Sequence, residues 1–325
     1  MNQVEQQLLR DIRLRIVECP IVVRWRSGDP QSGSRKGSRR DVGGVEFVAQ
    51  TPYEPGDNFR DIDWATSSLP GSEIVVNRYR DFHPIKVFAL VQVGTDMLFG
   101  TQRVTKRDLA AEVVGSAFTS TFKTQDTVSL IQFDDSRVVY YSPPGNPRHT
   151  LATGLSRMIR TDATDLRSGG AVGDAGVTNG GANGDRNGLV RAIAMLPRGE
   201  RCLVFLICAY RALSDREKQA LKFASSKHDL RFVMVQDLRE RELPNGFGLY
   251  KLRSLNGSEN RTIWLNNKAR AQFKSEAWNH HSAMLDFFNN AGALTAVLST
   301  EMDRASTSKI LRRLFGGFSQ RRETE

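Results

Sequence analysis

Three carboxylates lie close together in the stretch PYEPGDNFRDIDW, residues 52–64. Asp57, Asp61 and Asp63 surround Arg60, and Trp64 closes the stretch. The Pro-Gly-Asp corner predicts a turn, since proline presets φ and glycine adopts conformations that other residues resist. Carboxylates at this spacing can hold a cation, pair with arginines or contact a partner. They can equally cap the backbone N–H groups of a tight turn, and the spacing leaves these uses open.

The residues after this corner predict a short extended piece over 59–65, between strands at 45–48 and 73–79. Side chains alternate between the two faces of a strand. The expected faces carry Phe59, Asp61 and Asp63 on one side, and Arg60, Ile62 and Trp64 on the other.

Downstream, apolar runs alternate with amphipathic stretches, which is typical of a parallel sheet covered by helices. Ser214 with Glu217 has the spacing of a capping box at a helix start. Strands are predicted at 86–93, 127–133, 138–141, 202–210, 230–236 and 294–298, and helices at 106–122, 147–159, 188–196, 214–228 and within 264–290. This order predicts an α/β fold, doubly wound around a central, mainly parallel sheet.

We expect three regions along the chain. Residues 1–83 would hold an N-terminal amphipathic helix at 4–18, a basic loop at 27–41 and a small β-rich subdomain. Residues 84–315 would form the α/β domain, and 316–325 a basic tail. The glycine-rich stretch 167–188 has no apolar period and is predicted to be a flexible loop whose role the sequence leaves open.

Size and composition indicate a globular protein. The 325 residues are 39% hydrophobic, enough for one sizeable core and a smaller annex. Cys19, Cys202 and Cys208 lack metal-ligand spacing, which favours reduced thiols and a cytoplasmic location. The longest apolar run, 202–210, is far shorter than a membrane span, and residues 1–18 do not resemble a signal peptide.

The formal net charge of +10 raises the question of nucleic acid. Basic residues collect at 10–26, 35–40 and 309–322, and aromatic residues that could stack on bases are not interleaved among them. The charge pattern therefore favours an acidic protein partner over nucleic acid.

The titratable residues predict no catalytic group and no cofactor. The five histidines are scattered, and the neighbours His280 and His281 would diverge by about 100° on a helix, so we expect them to cover a solvated face. Burial in an apolar strand should raise the pKa of Cys208 and leave its thiol inert. The pair Asp134 and Asp135 is predicted to form a turn. The charged cluster 237–242 fits either an internal salt-bridge network or a partner-binding rim.

Several motifs together resemble the family called domain of unknown function 58 (DUF58). They are GVEF at 44–47, PYEPGDNFRDIDW at 52–64, MLFG at 97–100 before a helix starting at Lys106, and VQDLRERELP at 235–244. The likeness runs from about residue 8 to about residue 315. It implies a von Willebrand factor A-like domain and a partnership with a MoxR-type AAA+ ATPase in assembling or maturing other proteins.

The resemblance also implies where a metal site would lie. Domains of the von Willebrand A type usually bind Mg²⁺ through an Asp-x-Ser-x-Ser loop, a threonine and a further aspartate. The positions that match here are Gln92, Gly94, Asp96, Asn187 (with Thr178 as a substitute) and Ala209. Since Mg²⁺ prefers hard oxygen ligands in octahedral geometry, this set predicts a degenerate site that binds no metal.

We therefore expect a non-enzymatic cytoplasmic adaptor that works with a MoxR-type ATPase and an unidentified client protein. Its predicted partner-binding residues are Asp57, Arg60, Asp61, Asp63 and Trp64. One alternative is a metal-dependent hydrolase that uses the three aspartates of this motif. Another is a basic nucleic-acid-binding protein.

Overall fold

The computed structural model describes residues 10, 46–71, 73–80, 85–101, 104–123, 126–160, 187–253 and 260–316. Their backbone forms two compact units, one within Arg26–Ile85 and one that continues from Lys86. The described residues do not include the predicted N-terminal helix apart from residue 10, the basic loop, Thr178, nearly all of the glycine-rich stretch or tail residues 317–325.

The smaller unit is built on two antiparallel strands, β1 (Glu46–Pro52) and β2 (Val75–Arg80). A 3₁₀ turn (Phe59–Asp61) and a one-turn helix, α1 (Trp64–Ser67), lie between them in the chain. Ile62 forms an isolated bridge with Val76, and both side chains are buried. This contact supplies the apolar centre of a unit too small for a large core.

The described residues of the larger unit form eight strands. In chain order they are β3 (Lys86–Gln92), β4 (Thr127–Phe133), β5 (Val138–Tyr141), β6 (Leu203–Ala209), β7 (Asp229–Gln236), β8 (Gly248–Arg253), β9 (Asn260–Leu265) and β10 (Leu294–Ser299). Six form one sheet in the order β10-β7-β6-β3-β4-β5, with only the edge strand β5 antiparallel to its neighbour. The strands β8 and β9 form a separate antiparallel hairpin.

Seven helices accompany these strands in the described residues. They are α2 (Lys106–Ser120), α3 (Pro147–Arg160), α4 (Gly188–Ala194), α5 (Asp215–Lys227), α6 (Leu238–Arg241), α7 (Asn267–Asn290) and α8 (Arg304–Gly316). The chain moves from β3 towards β4 in one direction and from β6 towards β7 in the other. Right-handed crossovers then place α2 and α5 on opposite faces of the sheet.

The core lies against the central strands, which are buried along almost their whole length. One cluster packs Leu221 of α5 and Phe288 of α7 onto Phe88, Phe133 and Phe232. The rings of Phe232 and Phe288 stack with centroids 3.8 Å apart. None of the described helices has the length and apolar character that a membrane span requires.

The predicted fold class is confirmed: the molecule is an α/β protein, doubly wound around a mainly parallel sheet, with a small β-rich unit. The capping box of Ser214 and Glu217 is present at the start of α5. The hairpin β8–β9 and helix α8 were not predicted. Gly248 and the charged residues Lys251, Arg253 and Arg261 interrupt the apolar pattern of the hairpin, and the arginines and lysine of α8 were interpreted only as part of the basic cluster at 309–322.

Candidate functional site

The Pro-Gly-Asp corner forms the predicted turn. The backbone N–H of Asp57 donates to the carbonyl of Glu54 at 3.0 Å, and the Asp57 carboxylate accepts the N–H of Glu54 at 2.9 Å. Gly56 has φ +110°, a conformation that strains residues with a side chain. Asp57 is buried, so its carboxylate stabilises the turn from within.

The extended piece predicted over 59–65 is wrong. Asn58 accepts the N–H of Arg60 at 3.2 Å and starts the 3₁₀ turn, and Asp63 caps α1. Short polar side chains that bond to nearby N–H groups compete with extended backbone in this way. The alternating faces therefore do not form: Ile62 is buried, whereas Arg60 and Trp64 are exposed.

The Asp63 carboxylate accepts four hydrogen bonds. One carboxylate oxygen accepts the N–H groups of Ala65 and Thr66, and the other accepts the Thr66 hydroxyl and the Gln50 amide, each at 2.8 Å. Hydrogen bonds from the Thr66 side chain and backbone lower the pKa of the Asp63 carboxyl, and burial opposes them. Asp63 is thus a helix cap that also ties α1 to β1.

The side chains that this arrangement leaves at the surface are Phe59, Arg60, Asp61 and Trp64, which we call the Trp64 surface. Phe59 is 69% exposed and Trp64 is 64% exposed. The ring of Tyr53 stacks on Phe59 with centroids 6.0 Å apart. In the described part of the chain, the carboxylate of Asp61 has no hydrogen-bond partner or ion pair. Among the predicted partner-binding residues, Arg60, Asp61 and Trp64 are therefore the ones available to another molecule.

A second group of predicted residues meets at the carboxyl edge of the large sheet. The Gln92 side chain donates from Nε2 to the Asp96 carboxylate at 2.9 Å, and its Oε1 accepts the N–H of Ala209 at 3.1 Å. One amide thereby joins the loop after β3 to the end of β6. The arrangement brings together three of the five positions that the resemblance implied.

Of the other two positions, Gly94 lies on the loop after β3 and Asn187 lies before α4. Gly94 allows the Asp96 side chain to fold back, since a Cβ there would lie 2.3 Å from Asp96 Oδ1. Asn187 precedes α4, and the following residue, Gly188, donates its N–H to the Asp135 carbonyl at 3.2 Å. Burial raises the pKa of the Asp96 carboxyl, and the charge of Lys106 opposes that rise.

The loop after β4 forms the predicted turn. Asp134 accepts the N–H groups of Ser136 and Arg137 at 2.7 Å each. Asp135 forms an ion pair with Arg211 at 3.1 Å, and Arg211 also pairs with the buried Glu217. A buried arginine after β6 was not predicted, because arginine at a loop is usually exposed. It supplies a positive charge at the carboxyl edge of the sheet, where the Gln92 amide also lies.

The cluster 237–242 is mostly an internal network. The fully buried Asp237 carboxylate accepts the hydroxyls of Thr101 and Thr300 at 2.6 Å each, and the N–H groups of Thr101 and Arg239 at 2.9 Å each. Burial alone would raise the pKa of Asp237, but the hydrogen bonds from Thr101 and Thr300 lower it. Two threonines distant in sequence are thereby held at one carboxylate.

Lys106 is one of the charged residues that are fully buried. Its Nζ lies 2.5 Å from Glu240 Oε1. Glu240 Oε2 accepts the N–H of Asp237 at 3.0 Å, which completes the capping box of α6. Lys106 also lies 6.0 Å from the ring of Phe99. The motifs MLFG and VQDLRERELP thus meet in space, and their charged residues hold each other.

Other candidate groups serve packing. Burial raises the pKa of the Cys208 thiol to about 12, as expected for an inert cysteine. The solvated face predicted for the histidines is wrong for His281, which is buried against Tyr210 with ring centroids 5.0 Å apart. Burial lowers the pKa of His281. Within the described ranges, no three His, Cys, Asp or Glu residues are grouped to share a metal ion.

Comparison with known proteins places this geometry in a family. A family model described as "Protein of unknown function DUF58" matches residues 50–283, more than two thirds of the chain. The match includes the PYEPGDNFRDIDW motif, the carboxyl edge of the sheet and the 237–242 network. No curated protein matches the sequence.

Solved structures show remote similarity. The conserved hypothetical protein BatB from Bacteroides thetaiotaomicron has 12% identity and a TM-score of 0.41, over 71% of this chain and 97% of that chain. An aerotolerance-related membrane protein from Bacteroides fragilis has 11% identity and a TM-score of 0.41, over 71% and 98%. A von Willebrand factor type A protein from Catenulispora acidiphila has 9% identity and a TM-score of 0.34, over 74% and 43%. Similarities this low carry no inference about activity or partners.

Proposed function

This chain belongs to the DUF58 family of unknown function, and from that premise we propose that it is a non-enzymatic adaptor that docks a MoxR-type AAA+ ATPase through its smaller unit. The client protein would then be assembled or matured by that ATPase. Because the ATPase requires cytoplasmic ATP, the proposal places the adaptor in the cytoplasm.

One observation carries the proposal: the PYEPGDNFRDIDW motif presents Arg60, Asp61 and Trp64 outward while its other acids hold the turn together. An exposed tryptophan flanked by an arginine has the composition of an interface hot spot. The carboxylates of Asp57 and Asp63 already accept backbone N–H groups, which speaks against a metal-dependent hydrolase built on the three aspartates.

We also infer that the carboxyl edge of the sheet is a degenerate metal site. Gln92 offers an amide that is already bonded to Asp96 and Ala209, and Ala209 has no side-chain oxygen. The donor set at Gln92, Gly94, Asp96, Asn187 and Ala209 does not fit Mg²⁺, which needs several oxygen ligands in octahedral geometry. Isothermal calorimetry should detect no Mg²⁺ or Mn²⁺ binding. Micromolar binding abolished by Asp96→Ala would disprove this inference.

The docking proposal is tested by titrating the purified chain with the MoxR-type ATPase of the same genome. Trp64→Ala should weaken binding by tenfold or more, as roughly expected of a hot-spot aromatic. Arg60→Glu should weaken it as well, because the charge of the surface reverses. Circular dichroism should show both variants folded, since neither side chain is buried.

Trp278→Ala is the matched control, because Trp278 is 69% exposed but lies on α7 of the larger unit. It should bind the ATPase as tightly as the unchanged chain. Equal losses of affinity for Trp64→Ala and Trp278→Ala would show that binding depends on exposed apolar side chains in general and not on the Trp64 surface. Native co-purification that recovers partners but no ATPase would contradict the proposal directly.

A further inference from the structure

The hairpin β8–β9 carries a group of apolar side chains at the surface of the larger unit. Phe247 is 71% exposed, Leu249 is 70% exposed and Trp264 is 63% exposed. Leu249 and Trp264 are direct cross-strand partners in the antiparallel register, so their side chains lie side by side on one face. Contiguous apolar side chains of this size at a surface indicate a binding site more often than chance exposure.

The same face is cationic. The next cross-strand pair on it, Lys251 and Thr262, is also exposed. The guanidinium of Arg270 lies 5.5 Å from the ring centroid of Phe247. Of the cationic residues in the two strands, Lys251 lies on this face, whereas Arg261 pairs with Leu252 on the opposite face, and the strand sequences contain no aspartate or glutamate.

The opposite face holds the hairpin to the rest of the unit. Leu265 is buried, and Tyr250 is half-buried. The chain continues from β9 into α7, whose first turn is capped by Asn266 through the N–H of Ala269 at 2.7 Å. The apolar pair is therefore displayed on an anchored support, and within the described residues no further strand pairs with either strand of the hairpin.

We propose that this hairpin face is a peripheral membrane-binding site, which inserts Phe247, Leu249 and Trp264 between the headgroups of an anionic bilayer. Tryptophan is favoured at the membrane interface, where its ring is apolar and its N–H meets polar groups. Lys251 and Arg270 would lie among the phosphates, and each cation near an anionic leaflet strengthens binding by about fivefold.

A bilayer fits this surface better than a folded protein partner. A stable protein interface buries about 800 Å² on each side, and three side chains on a hairpin two strands wide supply only part of that area. A membrane needs no shape-matched partner surface: a few inserted apolar side chains and nearby cations are enough for reversible binding. The site lies in the larger unit and does not depend on the ATPase proposed for the Trp64 surface.

The experiment sediments the full chain with vesicles made of equal parts phosphatidylcholine and phosphatidylglycerol, and with vesicles of phosphatidylcholine alone. The unchanged chain should bind the anionic vesicles at least about tenfold more tightly, since Lys251 and Arg270 face the headgroups. Trp264→Ser should weaken that binding about tenfold, and Lys251→Glu should weaken it by fivefold or more. Circular dichroism checks that each variant is folded.

The matched controls are Trp278→Ser, which removes an equally exposed tryptophan from α7, and Lys222→Glu, which makes the same charge change on α5. Both should bind vesicles within about twofold of the unchanged chain if the hairpin is the site. Tryptophan emission should shift to shorter wavelength on binding, and Trp264→Phe should abolish the shift.

Two results would overturn the proposal. One is an unchanged chain that stays in the supernatant with anionic vesicles, which would leave the face to a soluble acidic protein. The other is equal weakening by Trp264→Ser and Trp278→Ser, or by Lys251→Glu and Lys222→Glu, which would reduce the effect to overall hydrophobicity or charge.

Discussion

Gln92 donates a 2.9 Å hydrogen bond from its side-chain amide to the carboxylate of Asp96, four residues further along the chain. The same amide accepts the N–H of Ala209, 117 residues away, at 3.1 Å. Both groups of the amide are therefore used; the bond to Ala209 is buried and the bond to Asp96 is partly buried. One neutral side chain thus pairs with a carboxylate in the loop after β3 and with a backbone N–H at the end of β6.

Replacing Gln92 by alanine should destabilise the larger unit. The substitution leaves the buried N–H of Ala209 without an acceptor and Asp96 without its donor, and we expect a loss of about 1–3 kcal/mol in the free energy of unfolding. Gln272→Ala is the control, since that amide is exposed on α7, and its effect should be within about 0.5 kcal/mol. Urea unfolding of the two variants makes the comparison. Equal stabilities would show that water replaces both bonds.

Asp237→Asn should change how stability depends on pH. Asp237 has a folded-state pKa below its unfolded value, so its contribution is present above the unfolded pKa and is lost as pH falls through the folded pKa. At neutral pH the variant should be about 2–3 kcal/mol less stable, because four donors lose a charged acceptor. The gap to the unchanged chain should narrow below about pH 4. Urea unfolding midpoints of both proteins, measured from neutral to acidic pH, would show this narrowing. A difference in stability that stays constant with pH would contradict the prediction.

The two members of the ion pair Lys106–Glu240 should differ in how much stability is lost when each is replaced. Lys106 is fully buried, whereas the Glu240 side chain is 29% exposed and can be partly solvated when left alone. Glu240→Gln should therefore lower the free energy of unfolding by about 3–5 kcal/mol, because it leaves the buried charge of Lys106 without a partner. Lys106→Met should lower it by less, because the Glu240 carboxylate that it leaves is partly exposed. The double variant should be more stable than the sum of the two losses predicts, by about 1–3 kcal/mol. Additive losses in denaturant unfolding would mean that the pair is not coupled.

Gly100 should not tolerate a side chain. A Cβ there would lie 2.5 Å from the Val104 carbonyl oxygen and 2.7 Å from Thr105 Cα, both backbone atoms that cannot rotate away. Gly100→Ala should cost about 1–3 kcal/mol through overpacking. The control is Gly199→Ala, since a Cβ at that position would have no atom within 4 Å, and it should change stability by less than about 0.5 kcal/mol. Thermal unfolding of both variants tests the contrast.

Substitutions of Asp63 and Asp61 should differ in their effect on stability, although only one residue lies between the two. Asp63→Ala removes a helix cap with four hydrogen bonds and should lower the unfolding temperature of the smaller unit. Asp61→Ala removes a carboxylate that has no partner in the described residues, and it should leave that temperature unchanged. A thermal melt followed by tryptophan fluorescence would report the smaller unit in a chain whose other three tryptophans are replaced by phenylalanine, so that Trp64 alone emits. A lowered temperature for Asp61→Ala would assign that residue a structural role instead.

Much of the larger unit could be predicted from residue order. The runs at β3, β4, β6 and β7 are apolar almost throughout, which only strands buried on both faces require. The cap of α5 by Ser214 and Glu217 was predictable because both partners lie within one helical turn. The hairpin β8–β9 was not predicted, because its large apolar residues Leu249 and Trp264 are exposed, so the apolar pattern does not indicate the buried face.

In the smaller unit the residue types were informative but their geometry was not. Alternation alone suggested an extended 59–65, and the competing local bonds of Asn58 and Asp63 turned the backbone instead. The prediction that acids could cap a turn was confirmed for Asp57 and Asp63. The positions of those bonds also decide that the carboxylate of Asp61 is the one that stays available to a partner.

Residue order thus establishes the α/β class, the core strands and the local caps, because burial patterns and short-range hydrogen bonds act between near neighbours. The pairings that shape the candidate sites join residues far apart: Gln92 with Ala209, Lys106 with Glu240, and Asp237 with Thr101 and Thr300. Nothing in local spacing selects such partners. Parallel strands bring their carboxyl ends to one edge, and the buried polar groups then bond to whatever the fold places beside them.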